Sequence, residues 1–151
     1  MSSERTLCAA FQARVAERGE QVALRTRGGE RELTWTEYDA GMRRLAARLH
    51  GLGLRRGDPV ALMLRNRPEF HLVDAAAMHL GAIPFSIYNT SSPEQVEFVV
   101  RDSGAAIAIV EEDFRDRVPA AHVLTPEELE AVEPTTLLDL DAAWQAVVPD
   151  V

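Results

Sequence analysis

"VALMLRNRPEFHLVDAAAMHLGAIPFSI" (Val60–Ile87) is the stretch on which the fold turns. Val60–Leu64 is a continuous apolar run of strand length, which suits a strand buried on both faces. Asn66, Pro68 and Glu69 then open a helix whose apolar stripe is Phe70, Val73, Ala77 and Leu80. Ala82–Ile87 reads as the next strand. Pro84 within it has no N–H for a ladder, so the strand lies at an edge, ends there or carries a bulge.

The same alternation continues on both sides. Downstream, Ser92–Asp102 reads as a helix with Val96, Val99 and Val100 inward and Glu97 paired with Arg101 at i,i+4. "AAIAIV" (Ala105–Val110) is a further buried strand. Upstream, "TWTEYDAGMRRLAARLHGLG" begins with Thr34 and Glu37 in capping-box spacing and sets Tyr38, Met42, Leu45, Ala46, Leu49 and Leu52 on one face. Gly51 or Gly53 ends that helix. Earlier still, Val22–Thr26 and Arg31–Thr34 flank "RGGE", where Gly28 and Gly29 suit a two-residue hairpin loop. After Val110 the pattern weakens to a short strand at His122–Leu124, a helical turn at Pro126–Ala131, and a last helix over Leu138–Val148 with Leu140 and Trp144 inward. Apolar strands alternating with helices imply right-handed parallel βαβ units. The expected fold class is α/β: a three-layer, mostly parallel sheet with an N-terminal β-hairpin.

Composition bounds the function. At 151 residues the chain suits one domain that buries roughly 70% of its unfolded surface. No run approaches the roughly 20 apolar residues of a membrane span, and charges interrupt "MSSERTLCAAFQARVAERGE" where a signal peptide needs an apolar core. These features predict a cytoplasmic protein. Cys8 is the sole cysteine, which rules out an intramolecular disulfide and a thiolate cluster and leaves it as a small apolar residue on the first helix. The net charge of −8 is uneven, with eleven acidic and two basic residues from Glu111 onward. No clustered basic face exists for nucleic acid. All 16 basic residues are arginine, so every chemistry that needs a lysine is missing.

Most motif-like stretches read as structure. "GLGLRRG" (Gly51–Gly57) has its third glycine one residue late and leads from a helix into a strand, the reverse of a dinucleotide site. His71 and His79 lie two turns apart and cannot share a metal ion, and His50 and His122 are isolated. "EEDFRDR" (Glu111–Arg117) reads as a solvated loop and helix start. No Gly-x-Ser-x-Gly elbow nominates a nucleophile. The loop "YNTSSPEQ" (Tyr88–Gln95) is different, because ligands of parallel sheets gather outside the carboxyl ends of strands, near helix N-termini. Ser92 as N-cap, Pro93 at the first helical position and Gln95 complete a capping box. Capping leaves Tyr88, Asn89 and Thr90 open to either reading, ligand contact or turn chemistry.

Leu33–Asp113 closely resembles the N-terminal portion of adenylate-forming (AMP-binding) enzymes of the long-chain fatty-acid–CoA ligase type. The likeness spans about residues 5–148 in the order Thr34-Trp-x-Glu37, Gly53-x-x-x-Gly-Asp-x-Val60, Asn66-x-Pro-Glu-Phe70 and Gly81-Ala-x-Pro84. The resemblance implies the N-terminal subdomain (1–151) of the acyl-CoA synthetase fold, in an enzyme that uses ATP, Mg2+ and CoA to turn a fatty acid into an acyl-adenylate and then a thioester. It also implies a cytoplasmic parent enzyme, peripheral to a membrane, with the remainder of the ligase chain as partner. The family's Gly-rich phosphate loop, its Tyr-Gly-x-Thr-Glu segment and its C-terminal lysine are missing, which implies a non-catalytic scaffold cut just ahead of the nucleotide loop. In relatives the loop matching Tyr88, Asn89 and Thr90 lies near the CoA nucleotide, and an arginine after the next strand meets its phosphates. Arg115, with Arg117 beside it, matches that position at a different spacing. A charged hydrogen bond contributes about 1.5–3 kcal/mol and a helix N-terminus about 0.3–1, against roughly 4 for millimolar affinity, so CoA should bind this chain at millimolar concentration or weaker. A free-standing flavodoxin-like binding or interaction module is the alternative, and a phospho-receiver is weaker still because it needs a lysine.

Overall fold

The computed structural model describes residues 6–147. Val148, at the end of the expected last helix, and the outermost residues of the expected subdomain lie outside the described residues.

Thr6 caps α1 (Leu7–Arg18) by accepting from the Ala9 amide. The hairpin follows as β1 (Val22–Arg25) and β2 (Glu32–Thr34), antiparallel, with a bulge between Val22 and Leu24. Gly28 and Gly29 do take positive φ, 89° and 74°, but the loop is longer than two residues. The Thr26 and Arg31 backbones pair, and the Thr26 carbonyl accepts from Gly29, so four residues make the turn.

Helix α2 (Trp35–Gly51) opens on the expected capping box: the Thr34 hydroxyl accepts from the Glu37 amide while the Glu37 carboxylate accepts from Thr34 N–H. It closes on Gly53 rather than Gly51. With Gly53 at φ 105°, its N–H reaches the His50 carbonyl and Leu54 N–H reaches the Leu49 carbonyl, the two bonds of a Schellman cap. Then come β3 (Pro59–Met63), α3 (Pro68–His79), β4 (Ile83–Ser86), α4 (Pro93–Ser103), β5 (Ile107–Val110), a 3-10 segment (Glu112–Arg117), β6 (His122–Leu124), α5 (Pro126–Glu130) and α6 (Leu140–Gln145). The last helix starts two residues later than the Leu138–Val148 periodicity predicts, because Asp139 caps it by accepting from Ala142 N–H, and it ends at Gln145.

The four strands β4-β3-β5-β6 form one parallel sheet. Alternation along β3 and β5 divides the core. Val60, Leu62, Ile107 and Ile109 face a cluster that holds Met42, Leu45 and Leu49 of α2, Val73 and Ala76 of α3, Leu129 of α5 and Leu140 of α6. Ala61, Met63, Ala108 and Val110 face the other way, onto Val96 and Val100 of α4 and onto Phe114 and Val118. Burying each larger side chain stabilises by about 1.5–3 kcal/mol. Pro84 sits on the edge strand as expected. Ile83 and Ile87 donate to the Asp58 and Leu62 carbonyls, so Pro84 and Ser86 turn their N positions to the open edge, where proline's missing donor costs nothing.

Three details differ from the periodicity. The buried face of α3 is broader than the stripe, because Leu72, Ala75, Ala76 and His79 are buried as well. Val99 is exposed, and only Val96 and Val100 of α4 are buried. The "EEDFRDR" stretch is a 3-10 segment that buries Phe114 under the sheet, with Glu111 nearly buried, and is not wholly solvated.

Candidate functional site

The carboxyl end of β4 delivers the chain to Tyr88. The Tyr88 carbonyl accepts from Ser91 N–H at 3.0 Å, which makes Asn89 and Thr90 the central residues of a tight turn. Tyr88 and Thr90 line a shallow groove with Ser91, Glu94, Gln95, Phe98 and Val99; neither Asn89 nor Arg115 is part of its lining. Among the described residues none of the side chains of Tyr88, Asn89 and Thr90 makes a hydrogen bond. Turn geometry therefore accounts for Asn89 and Thr90, and Tyr88, 83% exposed, stands over the groove without a polar partner.

The start of α4 has little left for an anion. Pro93 has no N–H, Gln95 N–H goes to Ser92 Oγ at 3.2 Å, Val96 N–H makes the first helical bond to Ser92, and Gln95 Oε1 takes Ser92 N–H at 2.9 Å. That leaves the Glu94 amide, on a residue whose own carboxylate repels phosphate. Arg115 is equally committed: it donates to Glu112 at 2.7 and 3.2 Å, to the Val123 carbonyl at 3.0 Å, and to Glu128. Those carboxylate bonds push its pKa up, and Glu128 in turn is held low by Thr125 N–H and then by Arg115. To meet a phosphate, Arg115 must first leave a carboxylate.

A second cluster was not anticipated from the sequence. Where β3 and β5 end, successive connections leave toward opposite faces of the sheet, the position at which α/β proteins open a ligand crevice. Here Glu111, 9% exposed, accepts from Arg65 N–H at 2.9 Å and from Arg67 at 2.9 and 3.2 Å. Arg65 is bidentate on Asp113, and Arg67 also reaches Glu127 at 2.8 Å. The charges close on one another, so the cluster fastens β3 to β5 and fills the crevice. The signal lay in Arg65 and Arg67 directly after one buried strand and Glu111 directly after its neighbour. A third feature, a cleft of about 460 Å³ between the hairpin, α2, α3 and α5, is likewise rimmed by paired charges, Arg31 with Glu69 and Arg44 with Glu130.

The profile described as "AMP-binding enzyme" matches residues 11–149. The chain belongs to the AMP-binding enzyme family. Among its relatives, uncharacterized protein Rv1549 of Mycobacterium tuberculosis is 48% identical over 118 residues, which are 78% of this chain and 67% of that protein. 4-Coumarate–CoA ligase 1 of Oryza sativa is 40% identical over 90 residues, 58% of this chain but 16% of the enzyme. Long-chain-fatty-acid–CoA ligase FadD15 of Mycobacterium bovis matches at 37% over 82 residues, 54% of this chain and 14% of that protein. The solved structure of O-succinylbenzoate Coenzyme A synthetase of Bacillus subtilis, in complex with AMP, shares the fold at TM-score 0.77 and 22% identity, over 85% of this chain and 34% of that one. The chain thus spans only a small part of the named CoA ligases.

Family membership raises the question of nucleotide, Mg2+ and CoA. Among the described residues no group of three His, Cys, Asp or Glu side chains could hold a metal ion. The one free amide in the first turn of α4 and an engaged Arg115 do not make a phosphate site either. The residues present do not by themselves fit these groups. No helix among the described residues is long and apolar enough to cross a membrane.

Proposed function

We propose that this chain is the N-terminal structural third of an ATP-dependent acyl-CoA ligase and acts as a non-catalytic scaffold. The observation that carries this reading is the family match over residues 11–149 in a chain without a single lysine. The scaffold presents the Tyr88–Thr90 loop beside the CoA entrance of the parent enzyme, and the parent takes ATP, Mg2+, CoA and a carboxylic acid. A long-chain fatty acid is our reading of that acid, supported by the match to FadD15; the coumarate and O-succinylbenzoate ligases among the relatives mark the aryl acids as the competing class. The parent works in the cytoplasm at a membrane periphery, where fatty acid and CoA meet. The test is ATP–pyrophosphate exchange with palmitate: the purified 151-residue chain gives none, and exchange above background refutes the scaffold role.

One observation favours a second reading, a free-standing interaction module. In Rv1549 the matched 118 residues are 67% of the protein, so at least one relative is itself short. The DNA beyond codon 151 separates the two: a frame running on into a Gly-rich loop and a lysine supports the ligase third, and a stop codon the module.

A further inference from the structure

We propose that the hollow between α1, the start of α2 and α3 is a binding site for a small apolar anion, a compact hydrophobic body with one negatively charged head; the inference stands apart from the ligase reading and from the Tyr88 loop. The hollow measures about 270 Å³ and is lined by Cys8, Phe11, Trp35, Tyr38 and Met78, with Arg14 as its one permanently charged residue. Liquid water takes about 30 Å³ per molecule, so a body of about nine non-hydrogen atoms fills the space. Phe11 and Tyr38 pack on the α2 and α3 side of the sheet, the face opposite α4.

The walls are fixed by contacts that need no ligand. Trp35 and Tyr38 lie stacked, 3° apart in plane with centroids 5.9 Å apart, and Phe11 stands edge-on to both at 5.6 and 4.8 Å. The Tyr38 hydroxyl donates to the His71 carbonyl at 3.1 Å, and both ring nitrogens of His79 are taken, by Ala75 and Gln12. A pocket held open in this way spares its ligand the cost of ordering the site. Two observations give the class of occupant. Leu7 is 72% exposed beside the hollow and leaves apolar surface in water that a hydrophobic body would cover. Arg14 supplies the positive charge. It donates to Glu17 at 2.8 Å through Nη1, in a half-exposed pair that contributes little, and its Nε and Nη2 make no hydrogen bond among the described residues. No carboxylate is among the lining residues, so an anion meets no repulsion inside and a cation finds no partner there.

The test titrates 3-phenylpropionate into the 151-residue chain carrying 13C-methyl methionine, followed by NMR. The Met78 methyl should shift saturably, while Met42 and Met63, sealed in the core, stay in place. The uncharged 3-phenylpropanol and the cationic 3-phenylpropylamine should bind about tenfold or more weakly than the acid, and Arg14→Gln should weaken the acid by the same factor, the scale of losing one charged hydrogen bond. Ala10→Phe puts a ring into the hollow from a half-buried position on α1 and should abolish the Met78 shift, with unchanged Met42 and Met63 signals as the check that the variant folds. A Met78 signal that never responds, an alcohol that binds as tightly as the acid, or binding that survives Ala10→Phe overturns the site. Self-association of the chain that Ala10→Phe abolishes and the acid does not reverse overturns the choice of occupant.

Discussion

His79 offers the sharpest test of how this core is built. It is 1% exposed, on α3, and its two ring nitrogens have opposite roles. Nδ1–H donates to the Ala75 carbonyl at 2.7 Å, and Nε2 meets the Gln12 side-chain nitrogen at 3.2 Å. The orientation of Gln12 is not free: its amide nitrogen donates to Asp39 at 2.9 Å, and its oxygen accepts from Arg43, which also pairs with Asp39 and Asp141. An N–H therefore points at Nε2, and only a neutral imidazole can accept it. Burial lowers the pKa of His79 first, opposed by the bond to Ala75 and the charge of Asp39, while Arg43 adds to the lowering. The sign of the linkage follows. Above pH 6.5, folded and unfolded chains both hold a neutral ring; below it the unfolded chain takes up a proton that the folded chain refuses, and stability falls until pH passes the folded value. The slope is at most about 1.4 kcal/mol per pH unit, hence at most about 2 kcal/mol lost by pH 5. His79→Leu removes the acceptor for Gln12 and should cost about 1–3 kcal/mol at pH 7.5. Because the variant lacks the titration, the gap between the two proteins should shrink at pH 5, as read by urea unfolding followed by circular dichroism. A gap that stays constant or widens refutes the neutral, buried assignment.

Other expectations concern separate parts of the molecule. Gly51→Ala should destabilise by about 1–3 kcal/mol despite alanine's better helix propensity, because the new Cβ would press on the Glu133 carbonyl; thermal melts check this. Glu111→Gln should cost about 2 kcal/mol in urea unfolding, since the amide keeps the volume but turns one of its groups as a donor toward the donors of Arg65 and Arg67. Cys8, with its thiol pushed up to about 11 by burial, should resist Ellman's reagent at pH 7.4 and react only as the protein unfolds; prompt reaction of the native chain contradicts its packing. Phe98→Glu should leave stability within about 0.5 kcal/mol and reduce binding of a hydrophobic dye.

The fold was legible wherever one local rule governed a segment. Val60–Leu64 could be placed because its apolar run is longer than a one-sided strand allows, and Thr34, Ser92 and Pro84 because capping and missing donors depend on a few neighbouring residues. Errors arose where distant contacts decided. The chain turns in four residues at Arg27–Glu30 because Thr26 and Arg31 pair through backbone and side chain. Val99 is exposed because α4 covers the sheet with one narrow stripe, and helical period alone cannot say how wide a stripe the sheet will accept. Phe114 was hidden among six charged neighbours, five of which stay at the surface while the ring fills the space beneath Met63 and Val110.

The candidate site was legible in position but not in chemistry, and the difference is one of satisfied valences. Sequence places "YNTSSPEQ" outside the end of a parallel strand, where unpaired amides could receive an anion, but it cannot count which amides remain. The capping box that makes the helix start recognisable is the same device that occupies its donors, so the stronger the sequence signal for α4, the weaker the case for a phosphate there. Arg115 shows the same conflict, because Glu112, one of the acidic residues that make Glu111–Arg117 look solvated, holds its guanidinium together with Glu128 of α5. The donors that the sequence offers at this loop are therefore largely spent within the chain itself, on the Ser92–Gln95 capping box and on the carboxylates and carbonyl around Arg115.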